Sequence, residues 1–255
     1  MHLADPVEVF PDCRLWLAYF DDGSCDSVSS PKSALAEAKL STRDQLRWQQ
    51  YRPATKKRQF LNSRRAVRAV LQRELGDDAA HIQFDSDLQG CPILLSQQVG
   101  PWPQISLSHS GNAVAIAIST NAFPIGVDIE VVEPLRAKAL RLIASHPQER
   151  AWCDRETGRE SDALATLWTI KEAVWKTLHC RDEIPISEIS IDFDRGILTP
   201  HVANSAFPDA KFRAQLFVVD YEAVVPETIR LAAGDIPLRG CVMQRVTEPH
   251  RYDAP

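Results

Sequence analysis

The sequence predicts an α+β protein, and three features carry that reading. One long amphipathic helix, "ATKKRQFLNSRRAVRAVLQREL", fills residues 54–75. A second, "SDALATLWTIKEAVWKTLHC", is apolar around most of its circumference and fills 161–180. Each is followed by short runs of alternating apolar residues, so helices precede strands in both halves of the chain. No sequence repeat is visible, but two similar α+β halves are compatible with this order. At 255 residues the chain can form one large domain or two small ones.

The elements follow in order. "CRLWLAYF" (13–20) reads as a strand and leads into the turn-rich "DDGSCDS". "PKSALAEAKLSTRDQLRWQQ" (31–50) reads as helix, with a second start at Ser41, a residue suited to cap "TRDQLRW". Pro53 punctuates the chain. In the helix over 54–75, Phe60, Leu61, Val67, Val70 and Leu71 form the apolar side, arginines form the other, and Gly76 is the stop. "HIQFD" (81–85) looks like a strand, and "SDLQGCPILL" holds a Gly-x-Pro turn. "QISLSHSGNAVAIAIS" (104–119) reads as two strands around a polar turn. Ser106, Ser108 and Ser110 alternate there with Leu107 and His109. "TNAFP" links to a strand, "IGVDIEVV" (125–132). Helices follow over 134–144, with Pro134 in the first turn, over "PQERAWCDRE", and over 161–180, capped by Ser161 or Asp162. From Ile184 the pattern turns to strands: "ISEISIDF", "ILTP", "KFRAQLFVVDY", "TIRLAAG" and "RGCVMQRV". The tail after Val246 is polar.

Composition narrows the functional classes. With 44% hydrophobic and 25% charged residues the chain is that of a soluble globular protein. Its net charge of −5 argues against nucleic-acid binding by the whole surface. Residues 43–73 are the exception, with ten Lys and Arg against Asp44 alone. Such a patch is either a solvated helix face or a site for an anionic small molecule or acidic partner. The six cysteines show neither Cys-x-x-Cys pairs nor zinc spacing. No signal segment is visible, and no apolar run approaches the length of a membrane span. A reduced, cytoplasmic protein with no membrane association is expected.

Three stretches carry chemistry. In "GVDIE" (126–130), Asp128 and Glu130 share one face of a strand while Val127, Ile129 and Val131 face the core. Two carboxylates on one face are either solvated or hold a cation between them, and Mg²⁺ takes such oxygen ligands together with substrate phosphates. In "WTIKEAVWK" (168–176), Glu172 and Lys176 are neighbours at i,i+4, while Lys171 projects into an apolar arc that includes Trp168 and Trp175. A buried amine and carboxylate must be paired or bound, unless Lys171 reaches outward past its apolar stem. In "SLSHSGN" (106–112), three hydroxyls and an imidazole suit phosphate oxygens or a structural turn, and the Gly-x-Ser-x-Gly elbow of a serine hydrolase is absent. Together with the basic helix these stretches suit phosphoryl-group chemistry on a highly phosphorylated ligand. No Walker or kinase glycine loop is present.

The order and spacing of "GVDIE" and "WTIKEAVWK", preceded by "SLSHSG", "GCPIL" and "RQFLNSRRAVRAVL", resemble the phosphopantetheinyl transferases of the large, single-chain, surfactin-type class over roughly residues 50–200. The resemblance implies a holo-[acyl-carrier-protein] synthase type of enzyme. It would move 4′-phosphopantetheine from coenzyme A to a serine of an acidic apo carrier protein, of fatty-acid, polyketide or peptide-synthetase type, releasing adenosine 3′,5′-bisphosphate. It implies a monomer folded as a pseudo-dimer, here 1–122 and 123–255, with the active site between the halves. It implies Mg²⁺, with Mn²⁺ a possible substitute, on Asp128, Glu130 and Glu172. Lys176, with Lys171, would bind the pyrophosphate, and Ser108 and His109 the phosphates of coenzyme A. Arg58, beside Lys56 and Lys57, would meet the 3′-phosphate. Gly90, Cys91 and Pro92 would lie against the adenine, although Cys91 stands where that class keeps a lysine. The serine proton would go to Glu172, directly or through a metal-bound water, or else to His109. A nucleic-acid-binding module and a catalytically silent coenzyme A binder are the competing readings. The first lacks a helix-turn-helix or stacking motif, and the second would have no need of the acidic residues and Lys176.

Overall fold

The computed structural model describes residues 1–20, 40–87, 91–96, 103–121, 123–132, 142–155, 160–178, 184–194, 197–202, 212–219 and 238–245. Gly90, the first half of the helix expected over 31–50, nearly all of that over 134–144, and the "TIRLAAG" strand lie outside these residues.

The N-terminal part opens with β1 (His2–Leu3), β2 (Val7–Phe10) and β3 (Cys13–Tyr19). Helix α1 (Thr42–Gln50) starts where expected, with Ser41 Oγ accepting from the Asp44 amide at 3.0 Å. Helix α2 (Ala54–Leu75) follows Pro53 and ends at Gly76, whose φ of +56° suits a residue without a Cβ. Strands β4 (Ile82–Ser86) and β5 (Pro92–Ser96) pair as a two-stranded sheet. Next come β6 (Gln104–Ser110) and β7 (Ala113–Ser119), turning at Gly111 with φ of +56°. They join β3 in a five-stranded sheet of order β1-β3-β7-β6, with β2 also on β3.

Strand β8 (Ile125–Val131) begins a second sheet. Helices α3 (Pro147–Arg155) and α4 (Glu160–Thr177) follow, then the hairpin β9 (Ile189–Asp194) with β10 (Ile197–Val202), and finally β11 (Phe212–Val219) and β12 (Leu238–Arg245). The order β11-β12-β8 makes a three-stranded antiparallel sheet. The mixture of helices and largely antiparallel sheets is the expected α+β class.

Side-chain alternation stacks these pieces in layers. Val67, Val70 and Leu71 of α2 pack on Trp16, Val114 and Ile116 from one face of the first sheet. The opposite face of that sheet, with Leu15, Ala115 and Ala117, packs on Val127, Ile129 and Val242 of the second. The far face of the second sheet, with Cys241 and Met243, packs on Leu167, Ile170 and Val174 of α4. Burying each such aliphatic chain contributes roughly 1.5–3 kcal/mol before entropy is counted. Period two on β8 therefore sends Ile125, Val127, Ile129 and Val131 toward the first sheet and Gly126, Asp128 and Glu130 toward the helix side.

Gly126 has its own reason to be glycine. A Cβ there would sit 2.0 Å from the Ala173 carbonyl oxygen and 2.6 Å from Thr177 Oγ1. The backbones of β8 and α4 thus approach one another as closely as a missing side chain permits, which draws the two acidic motifs together.

Candidate active site

Strands β6 and β8 are the terminal strands of their sheets, and serine hydroxyls join them in place of a ladder. Ser106 Oγ accepts from the Val127 amide and Ser110 Oγ from the Val131 amide, each at 3.0 Å. Ser108 Oγ donates to Asp128 Oδ1 at 2.6 Å, and Ser110 Oγ donates to Glu130 Oε2 at 2.9 Å. All three serines are buried. The hydroxyls expected to face phosphate are thus turned toward β8. Alternation sends His109 to the other face.

The acidic patch forms opposite α4. Lys176 Nζ donates to Asp128 Oδ1 at 2.7 Å and to the Val127 carbonyl at 3.1 Å. Asp128 is buried, and its Oδ2 has no hydrogen-bond partner among the described residues. Glu130 Oε1 accepts from Trp168 Nε1 at 3.1 Å. The half-buried Glu172 feels both carboxylates. Its pKa is pushed up to about 7, first by burial and further by Asp128 and Glu130, against the opposing pull of the Lys176 ammonium. Among the described residues no three acidic, histidine or cysteine side chains stand close enough to close on one ion. Instead Lys176 supplies the positive charge at Asp128. The donor set still fits a hard divalent cation. It is all oxygen, it is carboxylate-rich, and one buried carboxylate oxygen lacks a donor.

A cavity of about 390 Å³ opens beside this patch. Its wall includes Tyr51, Phe60 and Leu107, the charges of Arg47 and Lys176, and His109. Cys91 and Pro92 line it as well. Cys91 is held there by its amide, which donates to Asp87 Oδ1 at 2.8 Å. His109 is kept neutral. Its pKa is pushed down to about 4, first by burial and then by the Lys56 and Lys176 ammoniums. Its Nδ1 has no hydrogen-bond partner among the described residues.

The expected residues therefore fall into two groups. Asp128, Glu130 and Glu172 form the acidic patch, while His109, Cys91 and Pro92 line the cavity. Lys176 belongs to both.

Other expected residues lie elsewhere. Lys171 is fully buried, with Nζ 2.9 Å from Glu149 and 2.8 Å from the Ile143 carbonyl. Burial lowers its pKa and Glu149 opposes that shift. It neither reaches outward nor joins the cavity, because the apolar arc around it faces the second core. Along the basic helix, Arg64 does line the cavity, but its guanidinium is committed to two hydrogen bonds to Asp44, at 2.5 and 2.9 Å, and lies against the Phe60 and Phe84 rings. Lys57 stands 4.6 Å over the Trp48 ring. Arg58 is half-buried on the same turn, outside the cavity wall.

Three contributors escaped the sequence reading: Gly126, Ser110 in its carboxylate-holding role, and Trp168 as a donor to Glu130. The Ser-x-Ser-x-Ser alternation on a strand was the available signal, since it places three hydroxyls on one face.

Residues 124–224, which begin at β8 and include α4, match the family model of the 4′-phosphopantetheinyl transferase superfamily. Over these residues the chain is similar to that superfamily. It is 33% identical over 172 residues to a protein of Synechocystis sp. (strain PCC 6803) provisionally named a 4′-phosphopantetheinyl transferase, covering 66% of this chain and 65% of that one. It is 26% identical over 125 residues to the 4′-phosphopantetheinyl transferase Sfp of Bacillus subtilis, covering 49% and 54%. It is 28% identical over 156 residues to the 4′-phosphopantetheinyl transferase HetI of Nostoc sp. (strain PCC 7120), covering 58% and 64%. The matches span somewhat less than two thirds of each relative's length.

Proposed function

We propose that this protein transfers the 4′-phosphopantetheine group of coenzyme A to a serine hydroxyl of an apo carrier protein, as an Sfp-like member of that superfamily. The observation that carries the reading is the double membership of Lys176, which lines the cavity and is bonded to Asp128. An anionic ligand in the cavity would meet that ammonium next to a carboxylate cluster. The similarity to phosphopantetheinyl transferases supports coenzyme A as that ligand.

In this reading 1–122 and 123–255 are the two halves of a pseudo-dimer acting as a monomer in the cytoplasm. Their junction is the β6–β8 seam. Coenzyme A occupies the cavity, with Cys91 and Pro92 beside the adenine and Arg58 near the 3′-phosphate. The role expected of Gly90 falls outside the described residues. Ser108 acts on the phosphates through Asp128, whose position it fixes. His109, neutral at pH 7, donates one ring hydrogen to a phosphate oxygen. Asp128, Glu130 and Glu172 would hold Mg²⁺ or Mn²⁺. Such an ion, when bound, offsets charge on the pyrophosphate as the leaving group departs.

The chain's own residues do the rest. The carrier serine oxygen forms a bond to the phosphorus that bears the pantetheine arm. The bond from that phosphorus to the bridging oxygen breaks, and its electron pair leaves on adenosine 3′,5′-bisphosphate. The serine proton passes to the Glu172 carboxylate. Lys176 swings between Asp128 and the pyrophosphate, and its charge stabilises the leaving group.

The test is to incubate the protein with coenzyme A, Mg²⁺ and a panel of acidic apo carrier proteins and to weigh the carriers. A gain of one phosphopantetheine on at least one carrier is expected. No gain on any carrier removes the reading.

A further inference from the structure

Ser110 lies next to the turn that ends β6, and the proposed transfer step assigns it no part. Its hydroxyl makes two bonds at once. It accepts from the Val131 amide at 3.0 Å and donates to Glu130 Oε2 at 2.9 Å. An oxygen whose proton and one lone pair are both committed has a fixed direction. The carboxylate that it holds is fixed in turn, because Trp168 Nε1 binds the other oxygen. The two donors come from different elements, β6 and α4, and grip Glu130 from two sides. We propose that Ser110 is a positioning residue for the Glu130 carboxylate, holding it in the orientation in which it binds a divalent cation. The inference rests on the metal reading of the acidic patch given above.

Ser106 supplies an internal control. It sits two pairs of alternation away on the same face of β6, is equally buried, and accepts from the Val127 amide at the same 3.0 Å distance. No bond from it to a carboxylate is present among the described residues. Ser106 and Ser110 therefore share the seam-joining role and differ in the carboxylate bond. Loss of either hydroxyl orphans one β8 amide, so a purely structural account predicts the same consequence for both. Outer-shell hydrogen bonds to metal ligands typically govern metal affinity by about 10–100-fold.

The experiment measures Mn²⁺ affinity by electron paramagnetic resonance, with coenzyme A present and no carrier, for the full chain and for Ser110→Ala and Ser106→Ala. Urea unfolding of each variant is measured beside it. Ser110→Ala should weaken Mn²⁺ binding about tenfold or more, while Ser106→Ala stays within twofold of the parent despite a similar loss of stability. Ser110→Cys keeps the size and a weak donor, so it should fall between parent and alanine, and it serves if Ser110→Ala does not fold. Equal Mn²⁺ affinity in all variants, or equal weakening by Ser106→Ala and Ser110→Ala, overturns the positioning role and leaves the metal reading standing. No Mn²⁺ binding by the parent chain removes the metal reading and this role with it.

Discussion

The ammonium of Lys176 lies 2.7 Å from Asp128 Oδ1, joining residues 48 apart in sequence across the contact between α4 and β8. The pair is mostly shielded, with side-chain exposures of 20% and 6%. It places a cation where the acidic patch most needs one, at the edge of the cavity.

Removing either member should separate chemistry from folding. Asp128→Ala is expected to abolish phosphopantetheine transfer, read as carrier mass, while far-UV circular dichroism stays that of the parent. Lys176→Met leaves the Asp128 carboxylate with one donor fewer and should lower stability by about 1–3 kcal/mol in urea, with transfer reduced at least a hundredfold. Near-normal turnover in Asp128→Ala would remove this residue from the mechanism.

His109 gives the protein an acid-sensitive term. Its folded-state pKa of about 4 lies below the ordinary 6.5, so between those values the unfolded chain binds the extra proton. The stability associated with the neutral ring is fully present above about pH 6.5 and is lost as pH falls toward 4, amounting to about 3 kcal/mol at most. His109→Gln should flatten that part of the urea-midpoint profile relative to the parent. Coenzyme A, by bringing phosphate to the ring, should raise the pKa followed by NMR of the imidazole protons.

The Lys171–Glu149 pair has no exposed side-chain surface. Glu149 also accepts from the Ile191 amide at 2.9 Å, so it ties α3, α4 and β9 together. Lys171→Met, which leaves a buried carboxylate unpaired, should cost about 3–5 kcal/mol. Adding Glu149→Gln neutralises that charge, keeps an acceptor for Ile191, and should restore more than half of the loss. At temperatures where the single variant is folded, its KM for coenzyme A should match the parent. A raised KM with parental stability would return Lys171 to the binding site.

Gly126→Ala puts a methyl group into the Ala173 carbonyl. Helix α4 must move away from β8 or the domain must loosen, at about 3 kcal/mol or more. Glu172 and Lys176 ride on that helix, so activity should fall further than stability accounts for. The check is transfer rate at a temperature where circular dichroism reports full folding. A parental rate there would mean that the close approach is dispensable.

The main elements were legible where periodicity was strong. Helix α2 runs from Ala54 to Leu75, as its caps and apolar stripe dictate. Strand β8 and helix α4 fall within a few residues of expectation. Among the described residues Cys13, Cys91, Cys153 and Cys241 are free thiols. Among the described residues no helix is long and apolar enough to cross a membrane. The strands β1, β2 and β5 were not legible, because each is short and takes its state from a neighbour rather than from its own pattern.

By itself the sequence determined which side chains share a face. Period two fixed Asp128 with Glu130 and the three serines with one another, and period 3.6 set Glu172 beside Lys176, because backbone geometry alone decides these relations. Only the tertiary structure decided which face meets which. Lys171 and Lys176 lie on one helix, and the resemblance placed both at coenzyme A, yet one is sealed against Glu149 in a core and the other reaches Asp128 at the cavity. The serines looked like phosphate donors until β8 was packed beside them. Such choices depend on contacts between elements far apart in the chain, and local periodicity carries no record of them.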